Sequence, residues 1–248
     1  MPILSIITIN YNNAAGLDKT MESVLTQMIT KPDLFEYIII DGGSTDNSVA
    51  VIKKYADNPE YKDLISYWCS EKDNGIYNAM NKGLKKANGK LTGIMNSGDY
   101  YVAGALIHAI ELWEKYPDKI QYGVVNKYEN GIFKGALCPC IEYLEESMIP
   151  HNATFVPTKY YHQYGYYDET YTILSDFDCF LKFYVNKVPF IYSNNIVCDY
   201  DLSGISITSP YVEFEREKIL KKIRFFHSTI YNEENKTYNK KDFALYQI

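Results

Sequence analysis

The sequence contains very little arginine. Only Arg216 and Arg224 are Arg among its 25 basic residues, and 31 acidic residues give the 248-residue chain a net charge of −6. A general nucleic-acid binder is expected to be basic, so we expect no nucleic-acid partner. Before residue 216, a bound phosphate must be held by Lys, by backbone N–H groups or by a metal ion, because no arginine fork is present there.

The chain also lacks the marks of a secreted, zinc-binding or membrane-spanning protein. Its five cysteines include no CxxC pair, which indicates reduced thiols rather than a zinc site or a disulfide framework. The apolar run at 3–9 has the length of a strand, and no run approaches the roughly 20 apolar residues of a spanning helix. We therefore expect a cytoplasmic protein, with the inner face of the membrane as an alternative location.

Three common nucleotide and hydrolase motifs are absent. The sequence has no GxGxxG and no GxSxG. The segment 83–90 is similar to a Walker loop, but it has one residue too many between its glycines, and Leu91 replaces the hydroxyl that would hold a metal ion. These absences disfavour a dinucleotide dehydrogenase, a serine hydrolase of that type and a P-loop enzyme.

Apolar strand-length runs and helical repeats alternate through the first 100 residues. This order predicts an α/β fold with a mostly parallel sheet flanked by helices. Beyond residue 100 the pattern is less regular and predicts a strand pair, short strands and helices. The expected strands are 3–9, 35–40, 64–69, 91–95, 120–126, 131–137, 153–156, 188–192 and 196–200, and the later helices are 177–185 and 211–226.

Acids or amides follow each of the first four predicted strands. They lie in the segments 8–12, 41–46, 70–77 and 96–99. Each segment taken alone is explained by turn and helix-cap residues. In an open parallel sheet, however, ligands bind beyond the carboxyl ends of the strands. Carboxylates that converge there repel one another unless a cation or a ligand rich in donors lies between them, so this edge is the candidate site.

The same segments, in this order, resemble family 2 glycosyltransferases of the GT-A fold. The resemblance is dense over 3–101 and resumes at 151–155 and 165–183. It implies a GT-A-like Rossmann-type α/β sheet with a small irregular acceptor-side region and a C-terminal helix, in one domain over 1–248. The expected divisions are a nucleotide-sugar-binding half at 1–101, an acceptor-side half at 102–230 and a polar tail at 231–248.

The resemblance implies an inverting transferase. It would move a sugar from a nucleotide diphosphate sugar, UDP-linked by preference, to the hydroxyl of a carbohydrate or lipid-linked acceptor in cell-envelope polysaccharide or glycolipid synthesis. The donor-binding role maps onto Thr8, Asn10, Tyr11, Asp41 and Asp73. Tyr11 can stack on a pyrimidine ring, and Asp41 can accept the ring N–H of uracil or thymine.

A divalent cation, Mg²⁺ or Mn²⁺, is the cofactor that the resemblance implies. Asp99 matches the retained acid of the family's DxD-type motif, and Asn96 takes the place of the leading acid. A cation would offset the charge of the leaving diphosphate, but the neutral amide oxygen of Asn96 predicts a modest metal affinity. His151 is expected near the donor sugar or the cation, with a purely structural role as the alternative.

Asp176 matches the family's general base, which takes the proton from the acceptor hydroxyl. Ser175 stands where the family usually has an acid. A cap of the helix that follows is an alternative or an additional role for Asp176, because a helix N-terminus stabilises a carboxylate. Asp178 is the second candidate for the base.

The predicted helix 211–226 has a basic face and two phenylalanines near its end. Its side chains could contact an anionic membrane, where lipid-linked acceptors are found, or the helix could simply pack on the core. Glu213, Glu215 and Glu217 weaken the membrane interpretation. The basic and aromatic residues are Lys218, Lys221, Lys222, Arg224, Phe225 and Phe226.

Two other functions compete with a glycosyltransferase. A nucleotidyltransferase also uses acidic metal ligands on such a sheet, but it would show a basic Gly-rich loop after the first strand, and the segment 12–16 is not basic. A non-catalytic sugar-nucleotide-binding module is the other alternative, prompted by Asn96 and Ser175. Donor turnover separates this module from an active enzyme.

Overall fold

Strands and helices alternate through the first 96 residues of the computed structural model, which describes residues 1–145, 148–202 and 209–222. The first four strands lie parallel in the order β3-β2-β1-β4, so their carboxyl ends meet at one edge. These elements are β1 (Leu4–Asn10), α1 (Ala14–Met28), β2 (Phe35–Asp41), α2 (Ser48–Ala56), β3 (Ile65–Ser70), α3 (Ile76–Leu84) and β4 (Leu91–Asn96).

The central strands β1 and β2 are buried along their whole length. Alternate side chains enter two different cores: Ile7 and Ile9 pack with α3, whereas Leu4 and Ile6 pack with α1 and α2. A strand with helices on both faces needs apolar residues on both, which explains why these runs are nearly continuous. The structure thus confirms the expected α/β sheet flanked by helices.

The second half extends the same sheet, mostly through antiparallel pairs. Strand β8 joins β4 to β6, and β6 pairs in parallel with β9. The full order is β3-β2-β1-β4-β8-β6-β9-β5, with β7 beside β6. The elements are β5 (Tyr100–Tyr101), α4 (Ala105–Lys115), β6 (Ile120–Glu129), β7 (Ile132–Leu137), β8 (Thr154–Pro157), α5 (Lys159–Tyr164), α6 (Ser175–Val185) and β9 (Phe190–Asp201).

Strand β9 corrects the prediction of two separate strands at 188–192 and 196–200. The polar residues between them form a bulge inside one strand. Tyr192 lies opposite Tyr122 and Ile196 lies opposite Val124, so three residues of β9 face Gly123 alone. A side chain at Gly123 would lie 2.6 Å from Ser193 Oγ, so only glycine leaves room for this bulge. A short polar run can mark a bulge as well as a turn.

The helix predicted at 211–226 is present over 212–222 and is called α7 here; residues 223–226 and the tail 231–248 lie outside the described residues. Ile219 is fully buried in the core that also holds Phe177, so α7 packs on the domain. Within the described ranges, no helix is long and apolar enough to cross a membrane.

Candidate active site

Asp41 is the centre of a hydrogen-bond cluster at the ends of β1 and β2. Its buried carboxylate accepts bonds from Asn10 Nδ2 at 2.7 Å, from Ser44 Oγ and N at 2.6 and 3.0 Å, and from Ser70 Oγ at 2.6 Å. Burial alone would raise the pKa of Asp41, but the bonds from Ser44, Ser70 and Asn10 hold it below its ordinary value. We call these four residues the Asp41 cluster.

Tyr11 and Asp73 lie close to Gly42, beside the Asp41 cluster. A side chain at Gly42 would lie 3.0 Å from Asp73 Oδ2 and 3.4 Å from Tyr11 Cδ2. The Tyr11 side chain is 67% exposed, and Asp73 is paired with Lys82 Nζ. An exposed ring beside polar groups can stack on a nucleobase.

Thr8 does not reach this edge. It is fully buried two residues before the end of β1, and its hydroxyl accepts a bond from Tyr37 Oη at 2.8 Å. The Thr8 hydroxyl therefore lies inside the sheet, where it accepts the hydrogen bond that the buried Tyr37 hydroxyl donates. This placement gives the predicted donor contact of Thr8 no support.

A tight turn after β4 positions Asp99. Gly98 has a φ of +107°, a backbone conformation that favours glycine, and the Asp99 N–H returns to the Asn96 carbonyl at 3.2 Å. Helix α1 supports the turn, because Thr20 Oγ1 accepts the Gly98 N–H and donates to the Asp99 carbonyl at 2.7 Å. The sequence Asn-Ser-Gly-Asp thus folds its first and last residues toward each other.

The Asp99 carboxylate is buried and accepts bonds from Asn152 Nδ2 and from the Asp201 N–H, both at 3.2 Å. Burial raises the pKa of Asp99 to about 6, although these two bonds and the nearby His151 act in the opposite direction. The charged form of such an acid is stabilised by a neighbouring cation.

His151 and Asp176 form a hydrogen-bonded pair near Asp99. His151 Nδ1 lies 3.0 Å from Asp176 Oδ2, and Tyr77 Oη donates to Asp176 Oδ1 at 3.2 Å. Asp176 is the second residue of α6 and is only 3% exposed. The Phe177 N–H also donates to Asp176 Oδ1 at 2.9 Å, and together these contacts fix the direction of the carboxylate.

Asp178 is directed to a different set of partners. Its carboxylate pairs with Lys222 Nζ at 3.0 Å and lies 3.9 Å from Lys182 Nζ. The structure therefore brings Asp176, and not Asp178, to His151.

Four buried polar atoms near Asp99 and Asp176 have no hydrogen-bond partner among the described residues. They are Asn96 Oδ1, His151 Nε2, Asn152 Oδ1 and Ser175 Oγ. An unsatisfied buried polar atom costs about 1–3 kcal/mol, and such atoms are rare in folded proteins. Three further atoms of this kind lie elsewhere in the described residues, namely Asn10 Oδ1, Tyr101 Oη and Asp178 Oδ2. The larger group near Asp99 and Asp176 fits a polar ligand. We call Asn96, Asp99, His151, Asn152 and Asp176 the transfer cluster.

The sequence model of glycosyl transferase family 2 matches residues 5–183, a range that includes both clusters. The chain belongs to glycosyl transferase family 2. It is 29% identical over 215 residues to an uncharacterized glycosyltransferase of Mycobacterium tuberculosis, covering 82% of this chain and 77% of the relative. It is also 29% identical over 217 residues to a PGL/p-HBAD biosynthesis glycosyltransferase of the same species, covering 86% and 82%.

Solved structures show that this family 2 chain has the GT-A fold. S. aureus TarS 1-349 in complex with UDP-GlcNAc matches 85% of the chain with a TM-score of 0.66 at 18% identity. The mannosyltransferase PcManGT of Pyrobaculum calidifontis, in complex with GDP-Man and Mn²⁺, matches 80% with a TM-score of 0.62 at 17% identity. The chain spans 62% and 56% of those two solved chains, so the likeness is one of fold.

The family 2 site in this chain is poor in metal ligands. In the described part of the chain, no three His, Cys, Asp or Glu side chains come together so that they could hold a metal ion. Asp99 and the unpartnered Asn96 Oδ1 nevertheless offer oxygen ligands, which Mg²⁺ and Mn²⁺ prefer. These residues fit a cation that takes its other ligands from a diphosphate and from water.

Four residues of the site were not predicted as functional. Ser44 and Ser70 donate hydrogen bonds to the Asp41 carboxylate. Asn152 donates to Asp99, and Tyr77 contacts Asp176. Tyr77 lies in the segment 70–77, one of the segments that carry the family resemblance, so a role for it could have been predicted. Its contact with Asp176 joins positions 99 residues apart, and no local pattern reveals such a pair.

Proposed function

We propose that this chain is an inverting glycosyltransferase that moves a sugar from a UDP-sugar to a hydroxyl of a carbohydrate or lipid-linked acceptor. The observation that carries the proposal is the Asp176–His151 pair beside Asp99 in a family 2 chain. It supplies a buried, oriented carboxylate next to a group suited to a diphosphate-bound cation.

The nucleoside would bind over Gly42. The exposed Tyr11 ring would stack on the base, and Asp73 would face the nucleoside. Both oxygens of Asp41 already accept two bonds each, so a contact with a base N–H requires one serine hydroxyl to turn away. Asn10 would keep its bond to Asp41 Oδ1 in that arrangement and would hold the loop after β2 in place through Asp41. The solved relative that carries UDP-GlcNAc supports the preference for UDP.

Asp99 and Asn96 would hold Mg²⁺ or Mn²⁺. When bound, the cation would offset the negative charge that develops on the leaving diphosphate. Asn152 donates to Asp99 and Thr20 fixes the turn that carries it, so both residues set the position of the carboxylate. The Mn²⁺-bound mannosyltransferase of the same fold supports this assignment.

Asp176 would act as the general base. As the acceptor oxygen bonds to the anomeric carbon, its proton passes to Asp176, and the bond between that carbon and the diphosphate oxygen breaks, with the electron pair leaving on UDP. Attack opposite the leaving group inverts the anomeric centre. His151 and Tyr77 hold Asp176 for this step through their contacts with its two oxygens.

The acceptor class rests on less specific support. A relative named for PGL/p-HBAD biosynthesis favours a cell-envelope glycolipid as the acceptor. A lipid-linked acceptor would bring the enzyme to the inner face of the membrane, where Lys218 and Lys221 of α7 are candidates for contact with anionic lipid. The cytoplasmic location stays a prediction.

A nucleotide-sugar panel tests the proposed function. Thermal shift is measured with UDP-, GDP-, ADP- and CMP-sugars, each with and without Mn²⁺, because a ligand that binds only the folded state raises the melting temperature. UDP release is then measured for the sugars that bind. We expect a Mn²⁺-dependent shift with a UDP-sugar and release of UDP. Binding with no release, with water or with any hydroxyl acceptor, would favour the non-catalytic alternative.

A further inference from the structure

Glu215 contacts the chain immediately before the helix that carries Asp176. Its carboxylate is 5% exposed, although it lies on α7, where the neighbouring Glu217 is largely exposed. Oε1 accepts the Thr172 N–H at 2.6 Å, and Oε2 accepts the Ile173 and Leu174 N–H groups at 3.0 and 2.9 Å. One side chain thus satisfies three consecutive backbone donors that lie more than 40 positions away.

Leu174, the residue before α6, gives no capping bond, and within the first turn Asp176 Oδ1 accepts the Phe177 N–H at 2.9 Å. The N–H groups of 172–174 precede the helix, and Glu215 supplies their acceptors. Tyr77 holds the same segment from the other side, since its hydroxyl donates to the Ile173 carbonyl and to Asp176 Oδ1. Glu215 of α7 therefore binds the N–H groups of the segment 172–174, and Tyr77 of α3 binds the Ile173 carbonyl.

Helix α7 is attached to the same region at further points. Ile219 is fully buried, Lys222 Nζ bonds Asp178 Oδ1 at 3.0 Å, and Lys218 Nζ lies 4.8 Å from the centre of the Tyr171 ring. These contacts place Glu215 firmly over 172–174. Its charge makes each of the three bonds stronger than a neutral hydrogen bond would be.

We propose that Glu215 is a positioning residue for the transfer reaction: it fixes the segment 172–174 so that Asp176 stays aligned with His151 and the acceptor hydroxyl. This inference rests on the proposed function of Asp176. Glu215 touches no substrate, and it acts through the backbone that leads into α6.

The test compares Glu215→Gln with Glu215→Asp and with the matched control Glu217→Gln. The glutamine amide has one oxygen and turns donor hydrogens toward backbone donors, whereas aspartate keeps the charge but is shorter. A displacement of about 1 Å at a catalytic group costs on the order of 10²-fold in rate. We expect Glu215→Gln to lower kcat about 10- to 100-fold, with KM for the UDP-sugar and Kd for UDP unchanged within about threefold.

The rate is followed as UDP release from the UDP-sugar that the donor panel selects, with UDP-GlcNAc as the first probe. Glu215→Asp should recover part of kcat, and Glu217→Gln should match the wild type. Hydrogen exchange gives a readout that needs no turnover: the amides of 172–174 should be protected in the wild type and should exchange faster in Glu215→Gln, with β1 unchanged. Unprotected amides in the wild type would overturn the inference even if the variants failed to fold.

Asp176→Asn, measured in parallel, separates this inference from the proposed function. If Asp176→Asn keeps its activity, the base assignment fails regardless of Glu215. If Asp176→Asn is inactive while Glu215→Gln keeps the wild-type kcat, the base stands and the positioning role of Glu215 is wrong. A loss of UDP binding equal to the loss of kcat in Glu215→Gln would also contradict it, because general destabilisation would explain both.

Discussion

The Asp41 cluster and the transfer cluster lie at the same edge of one sheet but differ in how their polar atoms are satisfied. Both oxygens of Asp41 accept two hydrogen bonds each from neighbouring residues. Around Asp99 and Asp176, by contrast, four buried polar atoms have no partner among the residues described. In the first cluster the carboxylate is saturated, and one buried atom of the described residues there, Asn10 Oδ1, lacks a partner. The second cluster therefore offers more bonding capacity to a ligand.

This difference indicates a division of roles between the two clusters, one in stability and the other in turnover. A saturated carboxylate is suited to hold loops in place, because its bonds rigidify the ends of β1 and β2 before any ligand arrives. Unpartnered buried atoms are costly for stability and are retained at sites of function. We therefore expect changes in the transfer cluster to affect turnover and changes in the Asp41 cluster to affect stability.

The largest effect is expected at Asp99. Asp99→Ala removes the one carboxylate of the proposed cation site, and charge stabilisation by a metal is worth several kcal/mol, so turnover should fall by about 10³-fold or more. UDP release with Mn²⁺ measures this loss. Asn96→Asp is the matched variant and should raise the affinity for Mn²⁺, because it adds a charge. Full wild-type activity in EDTA would refute the metal role.

An intermediate effect is expected at Tyr11, which is exposed and lies close to Gly42 beside the Asp41 cluster. Stacking of a base on an aromatic ring is worth about 1–3 kcal/mol, so Tyr11→Ala should weaken UDP binding by roughly 5- to 150-fold. Tyr11→Phe keeps the ring and should bind normally. Calorimetry with UDP, CDP and ADP measures both variants, and equal affinities of the wild type for all three would rule out the base assignment.

A stability effect is expected at Asp41. Asp41→Asn loses charged hydrogen bonds in a buried place and should lower the free energy of unfolding by about 1–3 kcal/mol. The pKa of Asp41 is lowered in the folded protein. Its carboxylate therefore adds to the free energy of unfolding at pH values above the unfolded-state pKa of about 4, and this contribution disappears as the pH falls through the folded-state pKa.

Urea denaturation at several pH values checks this prediction. The difference in the free energy of unfolding between the wild type and Asp41→Asn should be full at pH 7 and should become smaller below about pH 4. A variant with wild-type stability at pH 7 that does not bind UDP would contradict this division of roles, because Asp41 would then act on the ligand rather than on the loops.

The sequence predicted the parts of this molecule that depend on local patterns. The continuous apolar runs of β1 and β2 identified buried parallel strands, and the polar segments after them identified the edge with the site. Asp99 and Asp176 were predicted as site residues through motifs whose residues are close in sequence. The fold brings both near His151, and their roles in the reaction stay predictions.

The features that were missed depend on contacts between distant positions. Thr8 stands at a strand end in the sequence, but its hydroxyl bonds Tyr37 inside the sheet. The bulge in β9 exists because Gly123 of another strand leaves room for it. In the sequence, Glu215 is only an acidic residue of the predicted helix 211–226. Its three bonds to the N–H groups of 172–174 form because α7 packs against that segment.

The most direct test of the transfer cluster is the rate and the UDP affinity of Asp176→Asn, measured on the same preparation. Asparagine keeps the size of the side chain but cannot take up a proton, and loss of a general base costs about 10²–10⁴ in rate. We expect kcat to fall by that factor while Kd for UDP, measured by calorimetry, stays within a few-fold of the wild type. A variant that turns over at a near wild-type rate would contradict the role of Asp176, and equal loss of UDP binding would assign it to the donor pocket or the fold instead.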